Sequence, residues 1–134
     1  MTEGWHDDEY LVLFSEEEVE PMTQRYGLKR FINGFRIVGL RGWDDFILQD
    51  TQGKSFIMPT VPIAIEYLKS FTLVIDFSKV RADSRFTGKV KWYAKPPIFG
   101  GDPQAKENMT WIDFEKHAEA VQWWNQKFLE VNGV

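Results

Sequence analysis

The last twenty residues constrain the fold more than any other stretch. At 100° per residue, Val131, Trp124, His117, Phe128, Val121, Phe114, Asn125, Ala118 and Leu129 fall on one arc about 160° wide. Glu115, Glu119, Gln122, Gln126, Glu130, Lys116 and Lys127 fill the opposite arc. Asp113 is a good N-cap for this helix, which should run to about Val131 with Gly133 as its stop. Such a helix must dock its apolar arc on something, and a sheet is the partner the rest of the chain offers. Two features break the pattern. His117 and Asn125 lie inside the apolar arc, where each needs a hydrogen-bond partner. Trp123 lies in the middle of the polar arc.

The sheet is legible upstream. Tyr10 to Phe14 reads as a short buried strand and Phe35 to Leu40 as another. Asp45 to Gln49 and Lys54 to Met58 form a hairpin around Asp50-Thr51-Gln52-Gly53, with Gly53 taking a positive φ. Two-residue alternation puts Phe46, Leu48, Phe56 and Met58 on one face. Pro59 and Pro62 end that pairing. Thr72 to Phe77 reads as a strand, and Lys89 to Tyr93 as one with Val90 and Trp92 inward and both lysines outward. Met109 to Trp111 is a brief extended piece. Ser15-Glu16-Glu17-Glu18 has the form of a capping box, so a helix starts there; at Pro21 it either bends or ends a first turn and restarts with Pro21 at N1, and it stops near Gly27. Ile63 to Phe71 suits one short helix. The segment from Pro96 to Pro103 is irregular backbone, and His117 with Asn125 could hold its Gly100-Gly101-Asp102 turn. This order of elements gives an α+β fold: one domain over residues 1–134, a mostly antiparallel sheet and a long C-terminal helix packed on it. Residues 1–9 read as a flexible acidic start.

Composition removes several kinds of chemistry. With 43% hydrophobic and 27% charged residues, 134 residues can bury a core unaided. The absence of cysteine excludes disulfide scaffolds, thiolate-held zinc, iron–sulfur clusters and a thiol nucleophile. There is no phosphate-binding loop, dinucleotide fingerprint or serine elbow. Two histidines make a His-rich metal site unexpected. His6-Asp7-Asp8-Glu9 and Asp44-Asp45 read as surface acids rather than a metal clamp or an acid/base pair. No cofactor and no metal are expected. The start lacks a secretory pattern, and apolar runs such as Leu73-Val74-Ile75 are too short to cross a membrane. A soluble cytoplasmic protein in a reducing compartment is expected.

The net charge of −4 hides an asymmetry. Residues 1–20 hold eight acids and no Lys or Arg. Bases concentrate from Lys69 to Lys95, among Phe71, Phe77, Phe86, Trp92 and Tyr93.

The stretch Ser15-Glu16-Glu17-Glu18-Val19, then Tyr26, then Phe31 to Gly39, then Trp43-Asp44-Asp45-Phe46 resembles part of the SUKH superfamily. These are small bacterial immunity proteins that neutralise toxins, with relatives among fungal cell-wall regulators. The resemblance spans Ser15 to Gly53. An amino-terminal helix with a Leu-Pro signature is absent here, and the glycine-rich turn after the first strand is reduced to Gly39 and Gly42. The resemblance implies a toxin-binding module with an α+β fold and no catalysis.

Three functions follow as expectations. The first is a non-catalytic protein-binding module that occludes a cognate, basic bacterial toxin. Its aromatic anchors would be Trp123, Trp43 and Trp5, and its acidic contacts Glu16, Glu17 and Glu20. For Trp123 the alternative is burial beneath the Phe99–Pro103 segment. The second is a single-stranded nucleic-acid-binding domain using the basic and aromatic strip 69–95. The third is a small hydrolase built on His117 and Asp113.

Overall fold

The computed structural model describes residues 1–42, 45–72 and 74–132. Trp43, Asp44, Leu73, Gly133 and Val134 lie outside them, and with them the Trp43 anchor, half of the Asp44–Asp45 pair and the predicted helix stop.

Six strands form an antiparallel meander in chain order: β1 (Thr2–His6), β2 (Glu9–Leu13), β3 (Phe35–Arg41), β4 (Asp45–Asp50), β5 (Ser55–Pro59) and β6 (Lys69–Ser70). β7 (Lys89–Tyr93) and β8 (Met109–Asp113) pair as a second, two-stranded sheet. α1 (Glu16–Arg25) connects β2 to β3, and α2 (Phe114–Val131) ends the fold. The chain is thus α+β with mostly antiparallel sheets, as the hydrophobic pattern requires.

α1 opens as expected. The Glu18 carboxylate accepts from the Ser15 amide at 2.8 Å and completes the capping box. The helix continues through Pro21, which sits on its exposed side and lacks the amide that would bond the preceding turn. Gly27 then takes φ 65° and stops it. The Thr23 hydroxyl donates to Val19 O at 2.7 Å and accepts from the Ile37 amide at 2.9 Å, so one buried side chain ties α1 to β3. β3 also carries a register shift between Ile37 and Gly39. A Cβ on Gly39 would lie 2.5 Å from the Val12 carbonyl oxygen, so only glycine lets β2 and β3 approach there.

The predicted hairpin forms, with Phe46 opposite Met58 and Leu48 opposite Phe56. Phe46, Leu48 and Met58 are buried with Tyr26, Ile37 and Val121. The same hydrophobic cluster includes Val90 and Trp92 of β7, so both sheets and both helices share one core.

Four local expectations are corrected. Residues 2–6 are not a flexible start but strand β1, turned at Asp7 (φ 56°) and paired along β2. Trp5 anchors it: its indole N–H donates to Asp83 at 3.1 Å, and its backbone bridges Arg81. Ile63–Phe71 is not one helix. Asn125 captures the Ile63 amide and Ser55 O accepts from the Phe71 amide, leaving room for a single 3-10 turn at Ile65–Tyr67 and for β6. The segment from Thr72 to Phe77 forms no strand among its described residues; Asp76 accepts from the Ser78 amide and starts a 3-10 turn instead. Lys91 does not point into solvent and is only 6% exposed. β7 is covered on both faces, so alternation sorts its side chains between two packed environments.

Candidate interaction surface

α2 begins where Asp113 accepts from the Lys116 amide at 2.8 Å, as an N-cap should. Its inner face then resolves both polar residues of the apolar arc. His117 is wholly buried, and its Nδ1 lies 2.6 Å from the hydroxyl of Tyr26, the residue that caps the end of α1. Trp92 stands edge-on to the imidazole. Burial pushes the imidazole pKa from 6.5 to about 3, so the ring is neutral at neutral pH. Asn125 accepts from the Ile63 amide at 2.6 Å and donates to Thr60 O at 2.7 Å and Val121 O at 2.8 Å. Neither residue holds the Gly100–Asp102 turn. That task falls to Asn108, which accepts from the Lys95 amide and donates to the carbonyls of Lys95 and Asp102. A Cβ on Gly101 would run into the Lys95 carbonyl oxygen, which closes this turn to any other residue.

The His117–Asp113 pair is not assembled. Asp113 spends its carboxylate on the helix cap, and His117 faces Tyr26. Among the described residues, His117 Nε2 has no hydrogen-bond partner. No three His, Asp or Glu side chains among the described residues come together in a way that could hold a metal ion.

The outer face of α2 is different. Trp123 is 59% exposed. The segment around Phe99 covers its neighbour instead: Phe99 packs on Trp124 at 4.9 Å between ring centroids. Trp123 stands edge-on to Trp124 at 4.9 Å and leaves its outer surface to solvent. On one flank the Arg30 guanidinium donates to Gln122 and Gln126, and Gln122 donates to Arg25 O. On the other flank Ile98 is exposed beside Phe99. A large aromatic thus sits uncovered beside side chains that are themselves held, Gln122 and Gln126 by Arg30 and Trp124 by Phe99.

The remaining expected contacts lie elsewhere. Glu16, Glu17 and Glu20 are exposed on α1, with Glu16 2.8 Å from Arg36 and Glu20 3.6 Å from Lys29. Trp5 is half-buried in a cluster with Tyr10, Phe86 and Trp111. Lys91 places its ammonium 5.0 Å from the Trp5 ring and 5.9 Å from the Trp111 ring. Burial lowers the Lys91 pKa, opposed by the charges of Asp8 and Glu9. The Tyr10 hydroxyl is pushed up to about 12, by burial first and then by Glu3 and Asp83. Beside this cluster lies an open cleft of about 420 Å³, lined by Asp8, Glu9, Arg41, Gly42, Asp45, Lys91 and Tyr93.

No protein-family model, curated protein or solved structure matches the chain.

The strip 69–95 does not present its rings as a row. Trp92 is buried, Phe86 stacks on Trp111 at 3.8 Å, and Arg41 covers Phe71. Among the described residues of that strip, Phe77 alone is a large exposed aromatic, two positions before Lys79. No helix among the described residues is long and apolar enough to cross a membrane. Sequence reasoning missed the burial of Lys91. Its signal was the extended piece at Met109–Trp111, which sets Trp111 opposite Lys91 once β7 and β8 pair.

Proposed function

We propose that this chain is a non-catalytic protein-binding module that uses the outer face of α2 as a contact surface. The observation that carries the reading is Trp123, 59% exposed on a helix whose inner face finds partners even for its polar side chains. Exposed tryptophan held between fixed neighbours costs little entropy to bury against a partner and is enriched among residues that dominate interfaces. The acidic side of α1, with Glu16, Glu17 and Glu20, adds a surface suited to a basic partner. In the finer form of the proposal, the chain acts in the cytoplasm as an immunity protein of the kind it resembles and occludes a cognate basic toxin.

Affinity capture of the tagged protein from its native host tests this reading. Wild type should retain one stoichiometric basic protein through a high-salt wash. Trp123→Ser should lose it, and reversing Glu16, Glu17 and Glu20 to lysine should slow its binding. Nucleic acid that elutes with salt would replace this reading with one based on the strip 69–95. Retention unchanged in both variants would overturn it.

A further inference from the structure

The charges around Trp123 are arranged symmetrically about it. Glu119 lies four residues before Trp123 and Lys127 four residues after; Lys116 lies seven before and Glu130 seven after. At 100° per residue all four fall within about 40° of Trp123, in a stripe about 21 Å long. All four, and Trp123, are exposed. Among the described residues none of the four has an ion-pair partner.

We infer that this stripe is a self-complementary contact, on which a second copy of the chain docks with its α2 antiparallel to the first. The inference rests on the reading of Trp123 as a protein contact and names a partner for it. A two-fold axis at Trp123 brings each residue at +k opposite the residue at −k of the other copy. Trp123 then meets its own equivalent at the centre. Glu119 faces Lys127 about 6 Å to one side, and Lys116 faces Glu130 about 10 Å out. Symmetry repeats both pairs on the other side of the axis, making four attractive pairs. A parallel alignment would set Lys116 against Lys116 and Glu119 against Glu119, so the charge order selects the antiparallel form. Arg30, bonded to Gln122 and Gln126, lies beside the stripe and supplies part of its rim. The contact is built on one helix, at the small end of stable interfaces, so the dimer should form reversibly with concentration. It would leave the acidic side of α1 outside the stripe for the basic partner, present twice per dimer, so that Trp123→Ser loses that partner by abolishing two-site retention.

Analytical ultracentrifugation over a concentration series tests the inference. Wild type should pass from the 15.7 kDa monomer to twice that mass. Trp123→Glu should hold the monomer with an unchanged circular dichroism spectrum. Glu119→Lys alone and Lys127→Glu alone should each remain monomeric, because each sets like charges opposite one another. Mixing those two variants should restore a dimer, since one chain then carries lysine and the other glutamate at both positions. A wild type that stays monomeric up to near-millimolar concentration overturns the inference, as does a dimer indifferent to Trp123→Glu. Dimerisation that ignores the charge variants overturns the antiparallel pairing. A monomer whose captured partner is still lost in Trp123→Ser removes the second copy and leaves the protein-binding reading intact. A monomer with unaltered capture removes both.

Discussion

The inner and outer faces of α2 treat out-of-place residues in opposite ways. On the inner face, His117 and Asn125 are polar groups among apolar ones, and each is bonded to a distant segment: His117 to Tyr26 at the end of α1, Asn125 to the Thr60–Ile63 segment. On the outer face, Trp123 is an apolar group among polar ones, and among the described residues nothing covers its outer surface. A misplaced polar residue inside is held through the bonds that distant elements offer, Asn125 fully and His117 through Nδ1 alone. A misplaced aromatic outside costs the fold little and so is free to serve contact. The two faces should therefore respond differently to substitution.

Asn125→Ala should give the largest loss. It strands the Ile63 amide in the core and leaves a cavity, at a cost of about 3 kcal/mol. Urea denaturation at neutral pH measures it, and a loss below about 0.5 kcal/mol would mean that water replaces the amide. His117 should make stability pH-dependent. Its folded pKa of about 3 lies below the unfolded value of 6.5, so the unfolded chain takes up the proton first. Its contribution is therefore complete above pH 6.5 and is lost as the pH falls toward 3. Between pH 6 and pH 5 that amounts to about 1 kcal/mol. Denaturation of wild type and His117→Gln across this range should show the acid slope in wild type and less of it in the variant; equal slopes would assign it to other groups. Trp123→Ser should be the smallest effect, within about 0.5 kcal/mol of wild type. A larger loss would make Trp123 part of the packing and erase the contrast between the faces.

A second comparison concerns lysines. Lys89 and Lys91 share one face of β7, yet Lys89 is exposed and Lys91 is buried among aromatic rings. Period-two alternation assigns residues to faces. It does not say that a face is wet. Trp5 and Trp111 approach Lys91 from β1 and β8, 86 and 20 residues away in the chain, and no local pattern contains that meeting. The same blindness explains the acidic start. Residues 1–9 look like a solvated tail by charge, but Trp5 finds Asp83 and Arg81 across the chain and becomes part of a strand.

What the sequence settled by itself is what depends on neighbours within a few positions. The capping box at Ser15–Glu18, the stop at Gly27, the turn at Gly53, the hairpin register and the whole length of α2 follow from short-range sterics and periodicity. The charge order around Trp123 is equally local and could be read from the chain alone. Only the tertiary structure decided which partners His117 and Asn125 take and that Phe99 covers Trp124 rather than Trp123. It also decided that Ile63–Phe71 is drawn out of a helix. In each case a group from a distant segment offers a hydrogen bond or a packing surface worth more than the local preference it overrides, and no window on the sequence holds both partners at once.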